Sequence, residues 1–258
     1  MSGELNGKRA VVTGGGTGIG RGIAGAFAAA GAVVTVTGRT RENLEETASL
    51  VRAAGGTCHV VEMDVTDKAS VAEGMTSTAQ KLGGIDVLVN NAGVGGPNAC
   101  ALGGEDRWDE VLRVNLDGVF YCSRAALSHM PDGGRIINVS SVLGRFGVPG
   151  YTAYCTSKHG VIGFTKALAL EVAQREITVN AICPGWVETA MAREGMEGMA
   201  RALDISYDEA RQQALSAVPL GRIIQPDEVG ALAVYMASDV ASGMTAQSVS
   251  LCGGSTML

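Results

Sequence analysis

Short runs of apolar, often β-branched residues recur along the chain at near-regular intervals, at 9–13, 32–37, 58–62, 86–90, 135–140, 177–182 and 247–251. They are rich in valine and isoleucine with little polar alternation, the pattern of strands buried on both faces. Between them lie stretches at 18–30, 41–54, 67–82, 105–130, 151–173 and 226–238, each long enough for a helix. This alternation predicts an α/β, doubly wound, Rossmann-like fold: a seven-stranded, mostly parallel sheet with helices on both faces. No linker interrupts the pattern, so residues 1–258 read as a single domain. Residues 188–217 exceed a simple connection and read as a lid over a substrate, with a rigid helical pair serving only an oligomer as the competing reading. In the lid reading Gly195 and Gly198 supply bending freedom, while Met191, Met196 and Met199 form an apolar wall with Trp186.

Composition narrows the function. Apolar residues make up 46% and charged residues 18% of the 258, enough for one large core. The net charge is −6 and neither sign gathers into a block, which disfavours a nucleic-acid groove. No run of 18 apolar residues exists and the opening residues lack an apolar signal core, so a cytoplasmic protein without membrane attachment is expected. Six scattered cysteines without a CxxC pair read as reduced thiols, mostly buried. With three histidines and no paired ligand spacing, no metal site is expected.

The first strand runs into Thr13-Gly14-Gly15-Gly16-Thr17-Gly18-Ile19-Gly20, followed at once by a helical pattern. Such a turn offers backbone N–H groups at a helix N-terminus, where the donors and the dipole together stabilise a pyrophosphate. The GxGxxG match at Gly20, Gly22 and Gly25 falls inside the helix and is a false positive; Arg21 follows Gly20, so no P-loop lysine is present. At the end of the second strand, where a carboxylate would grip a ribose 2′-hydroxyl, the chain has Gly38-Arg39-Thr40. Arg39 can pair with a 2′-phosphate, so NADP(H) is favoured over NAD(H).

Tyr154 and Lys158 are four apart and so project from one helix face. A phenol near pKa ~10 is a poor acid–base at neutral pH. A neighbouring ammonium and a cationic nicotinamide favour the phenolate, and a shift of ~3 units corresponds to about 4 kcal/mol. Tyr154 is thus the candidate proton shuttle. Tyr151 is its nearest rival but is followed four residues on by Cys155, which supplies no charge. Ser141 can hold a substrate oxygen while hydride arrives at carbon; Ser140 reads as serving local backbone. Cys155 lacks an identifiable histidine partner and no GxSxG elbow exists, so a hydrolase is disfavoured.

The turn spacing TGxxxGxG, together with Asn90-Asn91-Ala92-Gly93, Asn115, Ser141, Tyr154 with Lys158, and Pro184-Gly185-Trp186-Val187-Glu188-Thr189, resembles the short-chain dehydrogenase/reductase family in order and along the whole chain. The resemblance implies that Asn115, Ser141, Tyr154 and Lys158 are catalytic. It implies that Asn115 positions a water linking Lys158 to solvent and that Lys158 holds the nicotinamide ribose. It implies that the dinucleotide lies against Thr13, Gly14, Gly16, Thr17, Gly18, Ile19 and Gly20, Arg39 and Thr40, Asp64 and Val65 at the adenine, Asn91, Ala92 and Gly93, Tyr154 and Lys158, and Pro184, Gly185, Val187 and Thr189. Segments 154–171, 179–189, 218–229 and 245–254 are similar to ketoreductases of aromatic polyketide synthesis. One departure stands out: Gly95-Gly96-Pro97 occupies the place where those enzymes often carry Pro-Gly-Gly. Relatives of this size are usually homotetramers assembled through the helices at 105–130 and 151–173.

Three readings follow. The first is an NADPH-dependent reductase of a ketone, a β-keto acyl or polyketide-like substrate, free or tethered to a carrier. The second is a dehydrogenase of secondary alcohols, including hydroxysteroid-like ones. The third, a dinucleotide-binding regulator without catalysis, would have no need of all four catalytic residues.

Overall fold

A computed structural model describes residues 3–98, 100–101 and 105–257. Seven strands, β1 (Arg9–Thr13), β2 (Val33–Gly38), β3 (Thr57–Glu62), β4 (Val87–Asn90), β5 (Arg135–Val139), β6 (Thr178–Pro184) and β7 (Ser248–Leu251), form one sheet in the order 3-2-1-4-5-6-7. Every neighbouring pair is parallel, so the sheet is wholly rather than mostly parallel. The order reverses between β1 and β4, which opens a crevice at the carboxyl ends of those strands.

Helices α1 (Gly18–Ala29), α2 (Arg41–Ala53) and α3 (Lys68–Leu82) follow the first three strands. Asp67 caps α3 by accepting from the Ala69 amide at 2.9 Å, and Gly83 ends it in the left-handed region. Where 105–130 reads as one stretch long enough for a helix, the structure has α4 (Trp108–Leu112), a π turn (Arg113–Asp117) and α5 (Gly118–Leu127). A π turn inserts one residue without altering composition, so periodicity does not reveal it. The chain continues through α6 (Thr152–Glu171), α7 (Ala190–Leu203), α8 (Tyr207–Ser216) and α9 (Pro226–Ala237).

Two apolar cores flank the sheet. One joins Ile23 and Phe27 of α1 to Val12, Val36, Val229 and Met236; the other joins Val11, Met75, Leu88, Ile136 and Leu168. Glycine permits the close crossing of α1 and α9: a β-carbon on Gly22 would sit 2.7 Å from the Pro226 carbonyl, and one on Gly230 would sit 2.8 Å from the Gly22 carbonyl. Between β4, β5 and the helices over them runs a buried polar network. Asn90 Nδ2 donates to Ser123 Oγ (2.9 Å) and Asn138 Oδ1 (2.8 Å), and Asn138 Nδ2 donates to Thr165 Oγ1 (2.9 Å). These bonds fix α5 and α6 in register with the strand ends.

The long connection proves to be the helical pair α7 and α8, capped by Thr189 and Ser206 respectively. Gly195 and Gly198 both lie inside α7 in helical conformation, and Gly195 packs on the Trp186 ring, so neither is a hinge. Met196 is fully buried with Ala214 and Ile223, and Met199 packs on that cluster. The expected wall is thereby reduced to Met191, whose sulfur lies 3.1 Å from the β-carbon position of Gly95.

Candidate active site

The crevice is built first by the turn after β1. Gly14 has φ 63°, and a β-carbon there would stand 2.8 Å from Ala92 Cα; one on Gly20 would overlap the Gly14 carbonyl. Asn91 Nδ2 donates to the carbonyls of Thr13 (2.9 Å) and Gly14 (3.1 Å), while Thr13 Oγ1 accepts from the amides of Asn91 (3.0 Å) and Ala92 (3.1 Å). The side chains of Thr13 and Asn91 are therefore spent on fastening this turn to the end of β4. Thr17 stands at the N-cap of α1 without a side-chain cap, and the first turn holds no acidic residue. The leading amides of α1, around Gly18, Ile19 and Gly20, are thus left to an outside acceptor with the dipole unopposed, a cradle that fits a phosphate anion.

The remaining dinucleotide candidates lie around the same strand ends. Arg39 and Thr40 are exposed just beyond β2; Arg39 makes no hydrogen bond or ion pair with a described residue, and its charge acts at a distance on Glu110. Asp64 follows β3 and accepts from the Thr66 amide (2.9 Å) and hydroxyl (2.8 Å), and Val65 is buried, close against Gly118. Gly93 lies where a β-carbon would be 3.3 Å from Asn115 Oδ1 and 3.6 Å from Lys158 Nζ. Pro184 ends β6 and Gly185 abuts Cys252. Val187 bridges to Ile224, and Thr189 reaches the β-carbon position of Gly18 to 3.1 Å.

Ser141, Tyr154 and Lys158 converge beside this crevice. Ser141 opens a tight turn after β5, its Oγ accepting from the Leu143 amide at 3.1 Å, and its hydroxyl acts on the Tyr154 phenol. Lys158, one turn along α6, places Nζ 5.6 Å from the Tyr154 ring centroid and donates to the Val139 carbonyl at 3.0 Å. Burial raises the Tyr154 phenol above its ordinary value, and the Ser141 hydroxyl opposes this. Burial lowers the Lys158 ammonium to about 8, with Cys183 opposing. Ser140 donates to the Lys158 carbonyl at 2.9 Å, the backbone role expected of it. Cys155 is buried, and His159 meets only its carbonyl, at 2.8 Å.

Asn115 sits in the middle of the π turn, fully buried. Its amide faces one peptide: Oδ1 accepts from the Val94 amide at 2.8 Å and Nδ2 donates to the Val94 carbonyl at 2.9 Å. Two features of the site have only weak sequence signals. Arg107 donates to the Gly95 carbonyl at 2.8 Å and occupies the space beside Gly96, whose φ is 120°; an arginine at a helix start is the sole hint. Ser157 also escapes a motif reading, although its place between Tyr154 and Lys158 is a signal in retrospect. Among the described residues, no three His, Cys, Asp or Glu side chains group as a metal site requires, and no helix is long and apolar enough to cross a membrane.

A parallel doubly wound sheet with an anion cradle at its switch point, and a serine, tyrosine and lysine converging beside it, defines an NAD(P)-linked oxidoreductase. Residues 14–256 match the model of the family described as enoyl-(acyl carrier protein) reductase, and the chain belongs to the short-chain dehydrogenase/reductase family. It is 42% identical over 249 residues, 95% of each chain, to a relative from Streptomyces virginiae named as a ketoacyl reductase of the monensin polyketide synthase. It is 41% identical over 256 residues, 97% of this chain and 98% of the other, to the 3-oxoacyl-[acyl-carrier-protein] reductase FabG of Thermotoga maritima. A tryptophan variant of the actinorhodin polyketide ketoreductase, solved with NADPH, superposes with a TM-score of 0.92 at 39% identity, covering 98% of both chains.

Proposed function

We propose that the protein reduces a ketone to a secondary alcohol with NADPH, on a β-keto acyl or polyketide-like substrate that is free or carried on an acyl carrier. The observation that carries this reading is the convergence of Ser141, a phenol raised by burial at Tyr154 and a buried cation at Lys158. The cofactor supplies the hydride when bound. Ser141 holds the ketone oxygen, and Tyr154 delivers a proton to it as negative charge develops there. As a phenol Tyr154 can donate a proton in ketone reduction, and as a phenolate the same group would accept one in alcohol oxidation. Lys158 stabilises the phenolate left behind, and Asn115 holds the π turn through which a water reaches Lys158. The glycine cradle at Gly14, Gly16, Gly18 and Gly20 would hold the pyrophosphate. Pro184, Gly185, Val187 and Thr189 would hold the nicotinamide end, and Asp64, Val65, Ala92 and Gly93 the adenosine side.

A screen of β-keto esters, polycyclic ketones and secondary alcohols with both cofactors, read by nicotinamide absorbance, tests the proposal. NADPH-dependent loss of absorbance with ketones is expected; turnover with alcohols alone would overturn it. The 2′-phosphate assignment has its own check. Exchanging Gly38→Asp and Arg39→Leu together should weaken NADPH and improve NADH, each charge-assisted bond being worth about 1.5–3 kcal/mol. A wild-type enzyme with higher kcat/KM for NADH would end that assignment.

In the same reading α7 and α8 cover the substrate, Met191 against Gly95 forming the contact across the entrance. Limited proteolysis within 188–217 should slow with NADPH and a ketone present; equal cleavage with and without them would refute a lid. Partly exposed Trp108 and Phe120, and the largely exposed Leu170, on α4, α5 and α6 support assembly through those helices as a homotetramer. Sedimentation velocity is the check, and a monomer at assay concentration would exclude it.

A further inference from the structure

Ser157 is fully buried on α6, between the tyrosine and lysine of the site. Its hydroxyl donates to the Tyr154 carbonyl at 2.8 Å. Alone, that bond is the back-bonding any helical serine can make to a preceding turn. The second bond is different: Ser157 Oγ accepts from Asn115 Nδ2 at 3.2 Å, across 42 residues of sequence. Asn115 Nδ2 has two protons, and the other is held by the Val94 carbonyl. The amide plane of Asn115 is therefore fixed at three points, the N–H and C=O of Val94 and the hydroxyl of Ser157. Through it, the backbone of Tyr154, the π turn and the 94–98 loop become one unit. That loop is in turn tied forward, since the Asn98 amide donates to the Gly150 carbonyl at 2.6 Å, just ahead of α6.

We propose that Ser157 is a positioning residue, which acts through Asn115 to hold the π turn and the Val94 peptide at a fixed distance from Tyr154. The inference deepens the reductase reading and rests on it for its kinetic consequence, but its physical content is a bond network that can be measured without turnover. Removing the hydroxyl leaves one Nδ2 proton of the fully buried Asn115 without its protein partner, so the side chain gains by rotating away from Val94. The rival is a serine that merely satisfies its own helix.

Hydrogen exchange separates the two. In Ser157→Ala, peptides covering 93–98 should exchange at least tenfold faster, while those from the rest of α6 keep their protection, because alanine is the better helix former. Unchanged exchange at 93–98 overturns the proposal whether or not the enzyme turns over. In the kinetic arm, Ser157→Ala should lower kcat about tenfold with ketone KM within twofold, and Ser157→Thr, which keeps the hydroxyl, should recover most of the loss. In an Asn115→Ala background the same Ser157→Ala change should alter kcat less than twofold; losses that multiply would show that Ser157 does not act through Asn115. Should Ser157→Thr or Asn115→Ala not fold, the exchange measurement on Ser157→Ala decides alone. A wild type without ketone reductase activity would overturn the reductase reading while leaving the exchange result to judge the network.

Discussion

Tyr154→Phe should lower kcat for ketone reduction by about 10²–10⁴-fold, the usual worth of a positioned general acid. The substitution removes one oxygen and leaves a ring of the same shape, so α6 and the sheet behind it should be undisturbed. NADPH should still quench or shift protein fluorescence with nearly the wild-type Kd, because the anion cradle lies on α1 and the turn after β1 rather than on Tyr154. Ser141 is the only hydroxyl assigned to the ketone oxygen, and with Tyr154 absent its own proton is the nearest donor; residual turnover should therefore vanish in the Ser141→Ala, Tyr154→Phe double variant. Turnover by Tyr154→Phe within a factor of a few of wild type would remove the tyrosine from the mechanism.

Lys158→Met should divide activity from stability. The ammonium is buried and its pKa falls from 10.5 to about 8, so below pH 8 the folded state holds a desolvated charge that the unfolded chain keeps in water. That penalty, on the order of 3 kcal/mol, is present in full below pH 8 and fades as pH rises from 8 towards 10.5, where both states lose the proton. Methionine removes it, at the expense of the Nζ bond to the Val139 carbonyl, about 1–2 kcal/mol. The variant should therefore melt a few degrees higher at pH 7, with the gain shrinking above pH 8. Its kcat should fall about 10²-fold or more, since the charge that stabilises the Tyr154 phenolate is gone, and its affinity for NADPH should drop. In the wild type, ketone reduction should decline on the alkaline side as Lys158 loses its proton near pH 8. A Lys158→Met protein less stable than wild type at pH 7, or with unchanged cofactor affinity, would contradict the two roles separately.

The alternation of valine-rich runs with helical stretches locates all seven strands to within two residues at either end, because a strand buried on both faces leaves a contiguous apolar signature. The glycine turn and the Tyr154–Lys158 pair were legible for a related reason: their chemistry depends on local spacing. Asn115 was legible only through family likeness, and its grip on Val94 is a contact between segments that only the topology brings together. Arg107 on Gly95 and Ser157 on Asn115 belong to the same class. Met191, Met196 and Met199 read as one apolar wall, yet Met196 is buried with Ala214 and Ile223 while Met191 faces Gly95. Composition alone does not say which side of a helix meets which neighbour.

The crossing of α1 by α9 bears on how the chain is made. The face of α1 that carries Gly22 and Ala26 is complete by residue 29, yet the helix that covers it ends at Ala237, more than two hundred residues later. A ribosome delivers that distance in roughly 10–40 seconds. Throughout that interval the dinucleotide half can pair β1, β2 and β3 but cannot seal its outer layer, so an open apolar strip emerges with every nascent chain. Chains halted before Pro226 should accumulate as aggregates or in the care of chaperones, whereas those that stop after Ala237 already possess both helices of the seal. Synthesis of α9 is thus the step that covers a face of α1 made more than two hundred residues earlier.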